Sequence, residues 1–101
     1  MAKTSKVAKN EKRRAIAARY AATRAALKKI VKDPRMPEEK KAEAVRRLQK
    51  LPRDASPSRI RNRCQVTGRS RGFLRKFSMS RIALRDLGNS GQIAGLKKAS
   101  W

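Results

Sequence analysis

A chain of 101 residues with 29 lysines and arginines against 7 acids carries a net charge of +22 and must fold against its own repulsion. Its large apolar side chains are few. Leu, Ile, Val and Phe together number 18, while 15 positions are Ala, which contributes little buried area. High charge with so few large apolar groups marks a chain unable to offset its ordering entropy unaided. The expected state is extended and non-globular, becoming ordered against a polyanion. There is room for one small domain at most.

The same inventory excludes several kinds of chemistry. One Cys rules out an internal disulfide, and the absence of His removes the commonest general base and the commonest metal ligand. No enzyme activity and no cofactor are expected. No apolar run is long enough to span a bilayer, and MAKTSKVAKNEKRR lacks the apolar stretch of a secretory signal. That start has some likeness to an organellar transit peptide, but its basic character continues to the far end.

Charge divides the chain into three blocks. Residues 1–32 carry +10, residues 33–56 carry +2 and residues 57–101 carry +10. In the first block, Ile16, Tyr20, Thr23, Leu27 and Ile30 recur at spacings of four, three, four and three within an Ala-rich background. The spacing predicts a long basic helix over about 4–32, stopped at Asp33-Pro34. A helix packed through that stripe leaves Lys12, Arg13, Arg14, Arg19 and Arg24 unexplained, so RNA contact is expected of it. A second, short helix is expected over 37–51, with Pro37 in its first position, Glu38 and Glu39 in its first turn, and Leu51-Pro52 at its end. PRDASPSR, residues 52–59, reads as a turn-rich linker.

The third block is different in kind, with eight Arg to three Lys, five glycines, and Phe73, Phe77 and Trp101 set among the cations. Arg offers a planar fork to phosphates and base edges and stacks on bases, which Lys cannot do. Such a segment suits folded RNA better than bulk DNA. Ser78 or Ser80 can cap a short helix through Ile82, Leu84 and Leu87, stopped by Gly88. RCQVTGRSRGFLRKFSMSRIA, residues 63–83, also has the frame of a metal knuckle, with Cys64, Thr67, Ser80 and Ala83 at the ligand positions. Only the first can hold a metal, so these four are not a competent site.

RNRCQVTGRSRGFLRKFSMSRIALRDL, with a Gly-rich tail ending in KASW, resembles the C-terminal signature of the universal family of small-subunit ribosomal protein fourteen. The basic helix and the acidic-start second helix resemble the N-terminal half of its longer bacterial and organellar form. The family includes a zinc form with cysteines at the positions of 64, 67, 80 and 83, so the resemblance implies the zinc-free branch. The implied fold is mostly α with irregular extended segments: a helical N-terminal extension over 1–56, then an Arg-rich, zinc-ribbon-like knuckle lacking metal and a C-terminal tail over 57–101. The knuckle's interior is expected from Phe73, Leu74, Phe77, Ile82 and Leu84, with a turn at Thr67-Gly68.

The resemblance further implies a structural constituent of the small subunit that binds small-subunit ribosomal RNA in the head. Proteins three and ten are its implied neighbours, and a role in assembly near the aminoacyl-tRNA site follows. The place is a bacterial cytoplasmic ribosome or an organellar one, with no membrane partner and no homo-oligomer. The candidate RNA contacts are Arg13, Arg14 and Arg19 in the first helix, then Arg59, Arg61, Asn62, Arg63, Arg69, Ser70, Arg71, Gly72, Arg75, Lys76, Ser78, Arg81, Lys97, Lys98 and Trp101. Gly68 and Gly72 either admit RNA to the backbone or simply serve turns; Phe73 and Phe77 are either core or stacking platforms. The alternative is an architectural DNA-condensing protein, weakened by the lack of repeats and by Arg outnumbering Lys, 16 to 13. A membrane-active amphipathic peptide is weaker still, because the first helix's stripe is narrow and lacks Trp or Phe.

Overall fold

The computed structural model describes residues 1–100; Trp101 lies outside the described residues. The chain forms two compact units: one is Lys9–Ile60, and the other joins Met1–Ala8 to the chain from Arg61 onward. The secondary structure is mostly helical, with α1 at Thr4–Lys32, α2 at Glu38–Lys50 and α3 at Arg81–Asn89. A hairpin of β1, Phe73–Leu74, and β2, Met79–Ser80, pairs Phe73 with Ser80 and Leu74 with Met79.

Alanine carries α1 through its middle, and Lys29 and Lys32 sit in its last turn, where the exposed carbonyls favour cations. The Asp33 amide still donates to the Lys29 carbonyl at 3.1 Å, and Asp33 Oδ1 then accepts from the Arg35 amide at 2.9 Å, turning the chain away. The sequence places Thr23 in the apolar stripe, but Thr23 is exposed and Arg24 is half-buried in its stead. The other four stripe residues, Ile16, Tyr20, Leu27 and Ile30, are shielded as expected, and Arg13, Ala17 and Arg24 widen the shielded face. An Arg stem covers apolar surface as well as a Thr methyl does, which residue-type patterning does not register.

Pro37 proves to be the residue before α2 rather than its first; with ψ 147 it is extended, while its carbonyl accepts from the Lys41 amide at 3.2 Å. Leu51, also at ψ 147, ends the helix because the following Pro52 disfavours a helical conformation before it. The expected linker is more ordered than its composition suggests. It forms two 3-10 turns, Arg53–Ala55 and Pro57–Arg59, and Ala55 is only 1% exposed. Asp54 Oδ1 accepts from Arg13 Nε at 3.2 Å and lies 3.7 Å from Arg59 Nη1, which fastens the segment to α1.

In the other unit, a tight turn follows Ile60. The Gly68 amide donates to the Cys64 carbonyl at 2.8 Å, the Cys64 amide to the Arg69 carbonyl at 2.9 Å, and the Gln65 amide to the Ser78 carbonyl at 3.2 Å. Gly68 has φ +76, and a Cβ there would lie 2.9 Å from Val7 Cγ2, so both backbone and space require glycine. The Ala2 amide donates to the Thr67 carbonyl at 3.3 Å, which brings the chain start onto this turn. Ser80, not Ser78, caps α3: its Oγ accepts from the Ala83 amide at 3.2 Å.

Two expectations for this unit are overturned. Gly88 does not stop α3, which continues to Asn89 and closes with the Gln92 amide on the Leu87 carbonyl and the Gly91 amide on the Gly88 carbonyl. That paired closure needs its left-handed residue one step past the cap, and Gly91, at φ +76, is that residue. Nor do the large apolar groups form the interior. Leu74 and Ile82 are exposed and Phe73, Phe77 and Leu84 half-buried, while Cys64, Gly68, Ser80 and Ala83 are buried. Strands of two residues against one turn leave an interior too narrow for anything larger.

Candidate nucleic-acid interface

The four positions with metal-knuckle spacing meet in that narrow interior. Cys64 accepts from the Thr67 side chain and from the backbone of Ser80, while Ser80 Oγ holds the Ala83 amide. Ser80 is 0% exposed, Cys64 3% and Ala83 4%, with Thr67 half-buried. Burial alone pushes the Cys64 thiol up. The Thr67 hydroxyl and the backbone donors of Ser80, Thr67 and Val66 outweigh it and hold the thiol down from 9.0 to about 6. Three small residues thus supply hydrogen bonds and packing around a sulfur that carries negative charge near neutral pH. Among the described residues no three His, Cys, Asp or Glu side chains gather into a metal-binding group.

Around this interior the unit displays its cations. The hairpin's connection, residues 75–78, is tight enough to force Ser78 to φ 54, with the Phe77 amide donating to the Leu74 carbonyl at 3.2 Å. It holds Arg75 and Lys76 exposed, with Lys76 Nζ 5.7 Å from the centre of the half-buried Phe77 ring. Gly72 is exposed at φ +61, and its carbonyl accepts from the Arg81 amide at 2.7 Å. A Cβ at Gly72 would stand 3.1 Å from Arg81 Cγ, so this glycine lets the Arg81 stem lie against the backbone.

Arg69, Ser70 and Ser78 are half-buried; Arg61, Asn62, Arg71 and Arg81 are exposed. Arg63 turns inward, with Nη1 donating to the Gly68 carbonyl at 2.9 Å, and so braces the turn. Its Nε is buried and makes no hydrogen bond among the described residues. A cleft of about 470 Å³ lies beside it, bordered by Arg63, Arg69, Ser70 and Arg71. Lys97 and Lys98 line a second cleft with Arg81 and Arg85. Arg85 escaped the sequence reading, although its spacing of four from Arg81 puts both on one side of a helix.

Of the candidate contacts in Lys9–Ile60, three already lie beside acids. Arg13 is engaged with Asp54, Arg14 Nη1 donates to Glu11 at 3.2 Å, and Arg59 lies beside Asp54. Arg19 is exposed. Trp101 lies outside the described residues.

The sequence has known counterparts. A family model described as ribosomal protein S14p/S29e matches residues 47–100, the stretch that holds the turn, the hairpin, α3 and most of the tail. The chain belongs to that family. Among its relatives, the small ribosomal subunit protein uS14 of Idiomarina loihiensis is 57% identical over 101 residues, covering all of both chains. The uS14 of a Chelativorans species is 59% identical and the uS14A of Mycolicibacterium smegmatis 52% identical, again over the full length of each. Membership carries a structural role in the cytoplasmic ribosome of the bacterial type, and no enzyme activity. The DNA-condensing alternative finds no support in it.

Proposed function

We propose that this chain is a structural constituent of the small ribosomal subunit that binds small-subunit ribosomal RNA in the subunit head, through the Arg-rich part of residues 57–101. One observation carries the reading: a small-residue, hydrogen-bonded interior holds Arg71, Arg75, Lys76 and Arg81 exposed around one turn and hairpin, where the only acidic side chain of residues 57–101 is Asp86. With the backbone already placed, only the side chains are ordered when these cations contact phosphates. The helical portion, residues 1–56, adds a mostly non-specific basic surface. The hydrogen-bonded cluster at Cys64, Thr67, Ser80 and Ala83 is a zinc-ribbon-like knuckle closed without metal. Proteins three and ten are its proposed neighbours, and support of assembly near the aminoacyl-tRNA site its proposed task.

The test compares two variants. Arg69, Arg71 and Arg75 are changed to Ala in one, and Arg13, Arg14 and Arg19 in the other. Each lost phosphate contact flattens the dependence of log affinity on log salt by about 0.7 to 0.9. Specificity for the small-subunit RNA over unrelated RNA should fall only in the first variant. Equal losses in both would overturn the assignment of specificity to the Arg-rich part.

A further inference from the structure

Gly88 stands inside α3, where almost any other residue would favour the helix by up to about 1 kcal/mol. Its φ is not positive, so backbone freedom is not the reason for it. What a side chain at Gly88 would meet is Leu96 Cδ2: that methyl lies against the bare helix surface, while Leu96 as a whole remains 39% exposed. Gly91 and Gly95 show the reverse: both have φ +76 and open space around them. They turn the chain at the end of α3 and again just before Leu96, and so return the tail to the helix it has just left. Between helix and tail lies a cleft of about 640 Å³, with Arg81 and Arg85 on the helix side, Lys97 and Lys98 on the tail side, and Asp86 as the one acid among its described residues.

We propose that Leu96 on Gly88 is a positioning latch that holds Lys97 and Lys98 across from Arg81 and Arg85, so that the cleft takes a single strand of RNA with its phosphates between the two pairs of cations. The proposal rests on the RNA-binding reading above. Four cations against one acid favour a polyanion, and the arginines supply planar forks opposite the point charges of the lysines. At about 640 Å³ the cleft falls within the range that encloses small ligands, about 300–1,000 Å³, which suits a short stretch of one strand. Leu96 itself need not touch RNA; it fixes where the lysines stand.

Full-length Gly88→Leu, Leu96→Ala and a Lys97→Ala/Lys98→Ala double variant are compared with the wild type for binding to isolated small-subunit RNA over a range of salt. Losing two single-strand contacts should flatten the salt slope by about 1.4 in the double variant, and both latch variants should approach that value. Adding Gly88→Leu to the lysine double should change the slope little further. Leu favours a helix over Gly, so undiminished helical circular dichroism in Gly88→Leu separates a lost latch from lost folding. Latch variants with the wild-type slope, beside a lysine double that loses it, would overturn the latch. Latch variants that bind RNA normally yet fail to enter subunits would assign the cleft to a protein partner and overturn the RNA occupant. A wild type without salt-dependent binding would instead remove the RNA reading itself.

Discussion

Replacing Thr67, Ser80 and Ala83 together by Cys should turn the buried cluster into a metal site, and the cost and the gain can be set against each other. Ser80→Cys weakens the cap on the Ala83 amide, held at 3.2 Å, at a cost of about 1 kcal/mol. Thr67→Cys removes a hydroxyl donor to the Cys64 sulfur, again about 1 kcal/mol. Ala83→Cys adds a sulfur at a position 4% exposed, where overpacking costs about 1 to 3 kcal/mol. The metal-free variant should therefore be weaker than the wild type by about 3 kcal/mol or more. Against this, zinc binding to small four-ligand peptides contributes about 10 to 16 kcal/mol, which becomes folding free energy when no site exists in the unfolded chain. The net sign reverses on adding metal. Zinc stoichiometry and the absorption of bound cobalt measure the site, and circular dichroism follows the ordering of residues 63–83 without RNA. The wild type, with one thiolate and no His, should hold far less than one equivalent. A triple variant that takes up no metal, or only between two chains, would mean that the twelve-residue spacing is coincidence.

Two further outcomes follow from the same unit. In the RNA-bound protein, the carbon chemical shifts of the buried Cys64 side chain should titrate near pH 6, and after denaturation near the unperturbed value of 9.0. Because the folded value is depressed, the stabilisation is complete above the unfolded pKa and is lost as pH falls through about 6; a titration midpoint unchanged on denaturation would refute it. Gly68→Ala should destabilise the turn by more than about 1 kcal/mol, through its φ of +76 and the approach to Val7, and by more than Gly91→Ala, where the same φ has open space. Equal shifts in melting temperature would show that the Val7 contact contributes nothing.

The sequence disclosed what depends on neighbours along the chain. Alanine content and Asp33-Pro34 gave the bounds of α1, and a cap at Ser78 or Ser80 gave the start of α3 to within two residues, because capping and propensity act within a few residues. It hid what depends on distant partners. Two-residue strands carry no periodicity, so the hairpin left no trace. Gly88 read as a stop because glycine usually is one; its use as a seat depends on Leu96, beyond two turns of chain. The expected large-residue interior failed for a related reason. Side-chain size predicts burial only where an interior has room, and here Cys64, Ser80 and Ala83 fill it. Among the candidate contacts, the outward cations of the hairpin could be anticipated from Arg and Gly interleaving, but the inward turn of Arg63 and the pairing of Arg13 with Asp54 required knowing where Gly68 and Asp54 lie.

The joining of Met1–Ala8 to the chain beyond Arg61 sets an order of events during synthesis. The Ala2 amide is made first, but the Thr67 carbonyl that accepts from it, and the Gly68 backbone that receives Val7, come some 60 residues later. At about 5 to 20 residues per second the first residues wait roughly 3 to 13 seconds for their partners. Over that interval Met1–Ala8, with Lys3 and Lys6, lacks the part of the chain against which it packs. A polyanion within reach can therefore engage it before its own fold does.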